Sequence, residues 1–469
     1  MPSLIVGSYR SVSRLFDNNM YQFLEPQPSY WEATAGDSVP DVATLAEEES
    51  CEVAIIGGGY TGLSAAYHLA RDYQVDVRVL EAGHIGWGAS GRNGGFCSIG
   101  GSTLELEQAL ERYGADSVRH FYQSQVDAIE LVRALIDDED MDCAVQGDGE
   151  LEIACSAASF ADLKEYAEAR FRIVGLDTRV FTAAEFRERY FDATEQFGAA
   201  RVRPTFGLHP MRFSNGLCAA AQRHGARIHA HSEVLSWSKD GSTHVLRTAN
   251  GTIRARKVIM AANGFMPEHL HPSFAGRPLP MISAIVVTRP LADDELTSYR
   301  WQTECPSITS RKLLNYFRLL PDRRFMFGGR GHASGSAAGA ARIYRQLTAR
   351  LYELWPEWRE VSIDYCWHGL VCMTRRQTPC IGRLTEDPGV FFGFGYHGNG
   401  VNTSVWSGKQ IAGWLAGSGA QEGRIPAAIP SMMRDMPAKF PLPALRRLYV
   451  EGLVTRYRLA EWLQRKKPG

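Results

Sequence analysis

No stretch of about 18 apolar residues occurs in this 469-residue chain, so no transmembrane helix is expected. The N-terminus carries only a short apolar patch, Leu4 to Val6, before Arg10 and Arg14. It lacks the apolar centre of a signal peptide. Charge of one sign is not in excess either. The 51 Lys and Arg balance 52 Asp and Glu, a formal net charge of −1, which leaves no broad basic field to attract nucleic acid or anionic lipid. The 9 cysteines are scattered and form no CxxC pair, which argues against a disulfide framework and against a zinc or iron–sulfur site. No metal is expected, and a reducing, cytoplasmic home is the simplest. Repeats of 20–50 residues, low-complexity tracts and a Ser–His–Asp set are also missing.

What is there is a glycine signature in a specific setting. Gly57-Gly58-Gly59-Tyr60-Thr61-Gly62 follows the apolar run Val53 to Ile56. A helix-like segment, Leu63 to Ala70, comes next, and then a second apolar run, Val75 to Leu80, that ends at Glu81. A lone GxGxxG is weak evidence, but strand, helix, strand and acidic residue in this order define a dinucleotide-binding unit. Gly57 permits the tight turn, Gly59 lets the backbone approach a pyrophosphate, and Gly62 lets the helix pack closely. The helix N-terminus offers free N–H groups and a partial positive charge to phosphate. Glu81 is placed to accept hydrogen bonds from both ribose hydroxyls, and it would repel a 2′-phosphate.

The rest of the chain alternates between helical and strand patterns. Helices are expected within Leu104 to Asp138 (two), Phe160 to Val174, Ser214 to His224, Ala340 to Trp355 and Thr403 to Ala416. A basic terminal helix is expected over Arg446 to Gln464, with Leu453, Tyr457 and Leu463 on it. Strands are expected at Gly149 to Cys155, Arg227 to Trp237, His244 to Ala249, Thr252 to Ala262, Val361 to Trp367 and Val390 to Phe394. Between 281 and 330 short strands follow each other without helices (Ile282 to Val287, Leu313 to Leu319, Arg324 to Phe327), which suggests an antiparallel sheet. The fold class is therefore α/β, α+β overall. A Rossmann-like nucleotide-binding domain is interrupted by a second domain with a mixed or antiparallel sheet flanked by helices. The expected divisions are an N-terminal arm on the surface (1–50), the nucleotide-binding domain (51–140, 206–275 and 370–425), the second domain (141–205 and 276–369) and a C-terminal tail and helix (426–469).

The motif Ile55-Ile56-Gly57-Gly58-Gly59-Tyr60-Thr61-Gly62 with Glu81-Ala82 resembles flavin oxidoreductases of the D-amino-acid oxidase and glycine/sarcosine oxidase superfamily. The run Ile85 to Gly95 (IGWGASGRNGG) is similar to that of one branch, the gamma-glutamylputrescine oxidoreductases. So are Tyr316-Phe317-Arg318-Leu319 with Gly328-Gly329, Trp367-His368-Gly369, Ile381-Gly382-Arg383-Leu384 and Gly395-Tyr396-His397-Gly398-Asn399-Gly400-Val401. The likeness runs from about Ser29 to the C-terminus.

The resemblance implies FAD, bound in an extended form; non-covalent binding is expected, because neither Cys372 nor His84 matches an attachment position. Gly57, Gly59, Tyr60, Thr61 and Gly62 would hold the pyrophosphate, and Glu81-Ala82 the adenosine ribose. Gly88, Ala89, Ser90, Arg92, Asn93, Gly94, Gly95 and Phe96 would line the pyrophosphate and the flavin. Val234 would meet adenine through its backbone, and Ala262 and Gly264 would close over the nucleotide. The turn Gly398, Asn399, Gly400, Val401 and Asn402 would feed a helix whose free N–H groups face the flavin N1–C2=O edge.

The implied reaction is oxidation of a C–N bond. A neutral amine gives up hydride to flavin N5, and the imine is hydrolysed to an aldehyde or keto acid. Oxygen or another acceptor takes the electrons. The enzymes of the branch act on small amines, amino acids or gamma-glutamylated amines. Alternatives are a dehydrogenase that serves a quinone, an NAD(P)H-dependent flavin hydroxylase, and a non-catalytic flavoprotein. On the substrate side His397 and Asn399 stand where the family shows Ser-Gly-His-Gly. They either touch flavin or substrate, or cap the helix. Arg330 would pair with a substrate carboxylate or be a solvated strand-end arginine. Tyr316 and Arg318 share a strand face, toward the flavin or toward solvent. Trp87 and Trp367 either wall the substrate cavity or belong to the core. Cys372 and His84 do not match an attachment position for covalent flavin. The oligomeric state is left open.

Overall fold

The computed structural model describes residues 14–36, 40–331, 334–417, 424–452 and 455–456. Two eight-stranded sheets organise the molecule. The first has a parallel centre in the order Val390–Phe394, Thr252–Met260, Glu48–Ile56, Val77–Leu80 and Arg227–His229. The run Val53 to Ile56 is buried on both faces, as a central parallel strand requires. Its last residue, Ile56, lies in register with Met260 on one side and Leu80 on the other, so three strand ends finish together. Cys380–Arg383, a strand the sequence reading did not foresee, adds an antiparallel edge. The antiparallel hairpin Ser236–Asp240 and Thr243–Arg247 branches off Thr252–Met260.

The single strand expected over Arg227 to Trp237 is two, Arg227–His229 and Ser236–Asp240. His231, at φ 50°, turns the chain between them. Ser232 N–H then donates to Glu81 O, which pins the connecting segment beside the glycine turn.

The second sheet runs Ile363–Met373, Leu279–Pro290, Arg324–Arg330, Asn315–Leu319, Ser307–Thr309, Glu150–Ile153, Gly198–Val202 and Thr178–Thr182. Every pair is antiparallel except Ser307–Thr309 with Glu150–Ile153. The strands of 281–330 thus pair as expected, but the sheet also recruits three strands from 150–202. One face of this sheet buries an aromatic core in which Phe191 and Trp301 stack with centroids 4.3 Å apart, with Phe317, Trp355 and Trp358 around them.

Two helices matter most for the site. Tyr60–Tyr73 follows the glycine turn, and Gly400–Ala416 packs directly against it. The second begins three residues earlier than its apolar spacing indicated. Residues 14–36, expected on the surface, are partly core. Trp31 is buried and its Nε1–H donates to Asn93 O at 2.9 Å. The aromatic pair Tyr30-Trp31 carries too much apolar area to stay in water. At the other end residues 446–452 are helical. Arg446 points inward onto Glu268 at 2.8 Å rather than outward as a basic face. Leu453, Tyr457 and Leu463 lie outside the described residues.

Candidate functional site

The carboxyl ends of the three aligned strands open into a cavity of about 560 Å³. Such ends are where open α/β sheets bind ligands. Gly57 makes the first turn at φ 108°, and a Cβ there would lie 2.9 Å from the Ala261 backbone. At Gly62 a Cβ would come within 2.0 Å of Gly57 O, so only glycine lets the helix start so close to its strand. Gly59 faces Ser90, whose Oγ accepts the Tyr60 N–H at 3.0 Å; a Cβ on Gly59 would crowd that hydroxyl at 2.9 Å. The two oxygens of Glu81 accept from Gly58 N–H at 2.7 Å and Gly83 N–H at 2.9 Å, which fixes the carboxyl at the cavity wall. Burial raises its pKa, opposed by these two backbone donors.

The turn before Gly400–Ala416 forms a second wall. His397 has φ 53°, and its N–H donates to Cys372 O at 3.0 Å. Its Nε2 accepts the Thr374 N–H at 3.2 Å. Burial lowers the pKa of the ring to about 3, so it is neutral. With Nε2 the acceptor, the proton sits on Nδ1, which is buried without a partner among the described residues. Asn399 caps no helix N–H with its side chain. Its Nδ2 instead donates to Ser98 O at 2.9 Å and Gln125 Oε1 at 3.1 Å.

The third wall comes from the second sheet. Tyr316 and Arg330 line the cavity, and Tyr316 OH meets Ser283 Oγ at 2.9 Å. Trp87 lines it as well, with its Nε1–H tied to Glu25 O and the Arg92 guanidinium 4.0 Å over its ring. Arg92 Nε donates to Trp87 O at 2.6 Å. Burial lowers the pKa of Arg92 to about 9, and its Nη2 has no partner among the described residues.

Most of the residues singled out from the sequence meet in this one cavity. Gly57, Gly59, Tyr60, Thr61, Glu81 and Ala82 line it with Trp87, Gly88, Ala89, Ser90, Arg92, Asn93, Gly94 and Phe96. Val234, Ala262, Tyr316, Arg330, His397, Gly398, Asn399, Gly400 and Val401 complete the set. Six do not line it. Gly62 and Gly95 serve packing, since a Cβ on Gly95 would meet Leu208 O at 2.0 Å. Gly264 abuts Leu370, and Asn402 accepts the Ser98 N–H at 3.3 Å. Arg318 is fully buried away from the cavity, where Nη2 donates to Leu208 O at 2.6 Å and Nη1 to Gln146 Oε1 at 3.2 Å. Trp367 is core, its Nε1–H bonded to Arg92 O at 2.9 Å. The sequence reading passed over Ser98 to Thr103 and Glu150, which also line the cavity. A signal existed for Glu150: Glu150 and Glu152 alternate with Leu151 and Ile153 along one short strand.

Fold and site together define a dinucleotide-binding protein, with a glycine-turn cradle on one sheet and a cavity that extends from it to the other. A family model described as FAD dependent oxidoreductase matches residues 52–414, and the chain belongs to that family. Gamma-glutamylputrescine oxidoreductase of Escherichia coli (strain K12) is 32% identical over 394 residues, 84% of this chain and 90% of the relative. Glycine oxidase of Bacillus subtilis (strain 168) is 21% identical over 77% of this chain and 92% of the relative. Among solved structures, glycine oxidase from Geobacillus kaustophilus has a TM-score of 0.63 at 22% identity, covering 78% of this chain and 94% of its own. L-proline dehydrogenase from P.horikoshii has a TM-score of 0.64 at 18% identity, covering 86% and 99%. These two structures show the same fold.

The protein is thus an FAD-dependent oxidoreductase, and the donor set fits that cofactor. An acceptor-rich group suits two unpartnered buried donors, Arg92 Nη2 and His397 Nδ1, and two helix N-termini in one cavity.

Proposed function

We propose that the protein oxidises the C–N bond of a small amine, an amino acid or a gamma-glutamylated amine. The imine formed is hydrolysed to an aldehyde or keto product, and O2 takes the electrons and leaves as hydrogen peroxide. When bound, FAD supplies the hydride acceptor at N5. One observation carries the reading: a single cavity runs from the cradle at Gly57 to Thr61 to Tyr316 and Arg330 on the other sheet. The similarity to the Escherichia coli enzyme supports the substrate classes.

In this reading Gly57, Gly59, Tyr60 and Thr61 hold the pyrophosphate, and Glu81 the ribose. Val234 and Ala262 flank the nucleotide. Gly88 to Asn93, Gly94 and Phe96 follow the cofactor toward its flavin. Gly398 to Val401 would hold the flavin end of the cofactor, where the N-terminus of the helix Gly400–Ala416 would favour negative charge. His397 donates from Nδ1–H as a neutral group. Tyr316 and Trp87 wall the substrate, and Arg330 faces a substrate carboxylate. The amine binds neutral, so no side chain is assigned as a base. The domain boundaries given above belong to this reading.

Cys372 supports a non-covalent cofactor, since burial pushes its thiol pKa up and suppresses the nucleophilic thiolate. A yellow pellet on acid precipitation, with a colourless supernatant, would refute it. All nine cysteines are unpaired, which supports a reducing, cytoplasmic location.

The decisive experiment is an anaerobic screen of amines, amino acids and gamma-glutamyl amines that follows loss of flavin absorbance. Bleaching by a member of these classes is expected, with peroxide on readmitting air. Bleaching by NADPH alone would overturn the reading in favour of a hydroxylase. A second reading, a dehydrogenase that serves a quinone at a membrane surface, is favoured by the exposed Leu442, Leu445, Leu448 and Tyr449 near the C-terminus. Dye reduction without peroxide would select it.

A further inference from the structure

Three carboxyl groups line the cavity: Glu81, Glu233 and Glu150. The first two belong to the dinucleotide end, beside the glycine turn and Val234. Glu150 comes from the other sheet, on the strand Glu150–Ile153. It is 4% exposed. Its Oε2 accepts the Ser98 Oγ–H at 2.5 Å. Among the described residues this is the one side-chain hydrogen bond found for Glu150, and no ion pair is found for it. The nearby guanidinium of Arg170 is taken, with Nη1 and Nη2 on the two oxygens of Glu152 at 2.9 and 2.7 Å. A carboxyl buried in a ligand cavity with one hydroxyl for company is costly to ionise. Burial accordingly raises its pKa to about 8. A cation brought by the ligand removes that cost.

We propose that Glu150 is a specificity residue that binds a second, non-reacting ammonium group of the substrate, which makes the substrate a molecule with two amines. The inference rests on the amine-oxidising reading above. The nitrogen that loses hydride from its carbon must be neutral, and pairing with a carboxylate would hold it protonated. Glu150 therefore suits the nitrogen that stays charged. Arg330 lines the same chamber, so a substrate that carries a carboxylate beside the ammonium is also accommodated. Near neutral pH the protonated Glu150 would release one proton to solvent as it pairs with the incoming ammonium.

The test uses the FAD-loaded enzyme and pairs of probes that differ by one ammonium group. One pair is 1,4-diaminobutane and 4-amino-1-butanol. The other is gamma-glutamyl-1,4-diaminobutane and its glutaryl counterpart. The wild type should favour the diammonium member of the productive pair by tenfold or more in KM. Glu150→Gln should erase that preference, by raising KM for the diammonium member far more than for the monoamine member. Calorimetry in buffers of different ionisation enthalpy should show proton release on binding to the wild type and none to Glu150→Gln. Glu150→Asp should keep part of the preference, which covers the case in which the Gln variant does not fold. Equal use of both members by the wild type, or an unchanged preference in Glu150→Gln, overturns the proposal while the amine-oxidising reading stands. If no probe and no other amine bleaches the flavin, it is that reading that fails.

Discussion

Thr61 Oγ1 and the Tyr396 hydroxyl lie 2.7 Å apart in the interior. The first turn of the helix after the glycine signature is thereby bonded to the turn that precedes the last helix of the site. Tyr396→Phe leaves Thr61 short of its partner. It should cost about 1–3 kcal/mol in denaturant unfolding. Combined with Thr61→Val, the loss should be smaller than the sum of the two single losses, because both changes remove one bond.

Gly62→Ala places a methyl group 2.0 Å from Gly57 O, a backbone atom with nowhere to go. The helix must shift off its strand, at about 1–3 kcal/mol by the usual cost of overpacking. The purified variant should hold less than half the FAD of the wild type, read from the ratio of visible to ultraviolet absorbance. A fully yellow, equally stable variant would contradict the tight approach.

Arg318 and Arg330 should behave differently when replaced by alanine. Arg318→Ala leaves Gln146 Oε1 and Leu208 O without their buried donor. Its loss should appear as stability, about 3 kcal/mol or more, in a denaturation curve. Arg330→Ala should appear in kinetics. KM for substrates that bear a carboxylate should rise roughly 10- to 100-fold, the worth of a charge-assisted bond, while carboxylate-free amines change little.

Glu150 makes stability depend on pH with a definite sign. Its pKa is raised from an ordinary 4.5 to about 8 in the fold. The native state therefore holds a proton that the unfolded chain gives up, and stability falls as pH rises from about 4.5 to about 8. Glu150→Gln abolishes this dependence. Relative to wild type, the variant should gain on the order of 4 kcal/mol between about pH 5 and about pH 9. Unfolding midpoints at the two pH values check this.

The parts of the site that were legible in the sequence are those set by local spacing. Gly57 to Gly62 and Glu81 carry their geometry within one strand–helix–strand unit, and they sit where that unit predicts. Tyr316 and Arg330 also reach the cavity. Arg318 does not, although it shares a strand face with Tyr316, because the cavity ends between them and the face continues against Leu208. Nothing local encodes where a cavity stops. Trp367 went to the core for the same reason, since its wall is built by Arg92, 275 residues away. The alternation of Glu150 and Glu152 with Leu151 and Ile153 was legible, but the missing counter-ion that gives Glu150 its significance shows only in the assembled fold. The burial of Trp31 was not legible, because its partner, Asn93, lies beyond the segment to which it belongs.

The bond between Thr61 and Tyr396 spans 335 positions of sequence. The strand Glu48–Ile56 likewise takes its neighbour from Thr252–Met260, which is in turn paired with Val390–Phe394. On the ribosome, the glycine turn emerges hundreds of residues before the segments that complete its walls. A nascent chain can form the signature early, but it has no chamber to hold a flavin until translation is almost finished. Capture of the cofactor is then a late event in biogenesis, and chains cut short before about residue 400 should leave the ribosome colourless.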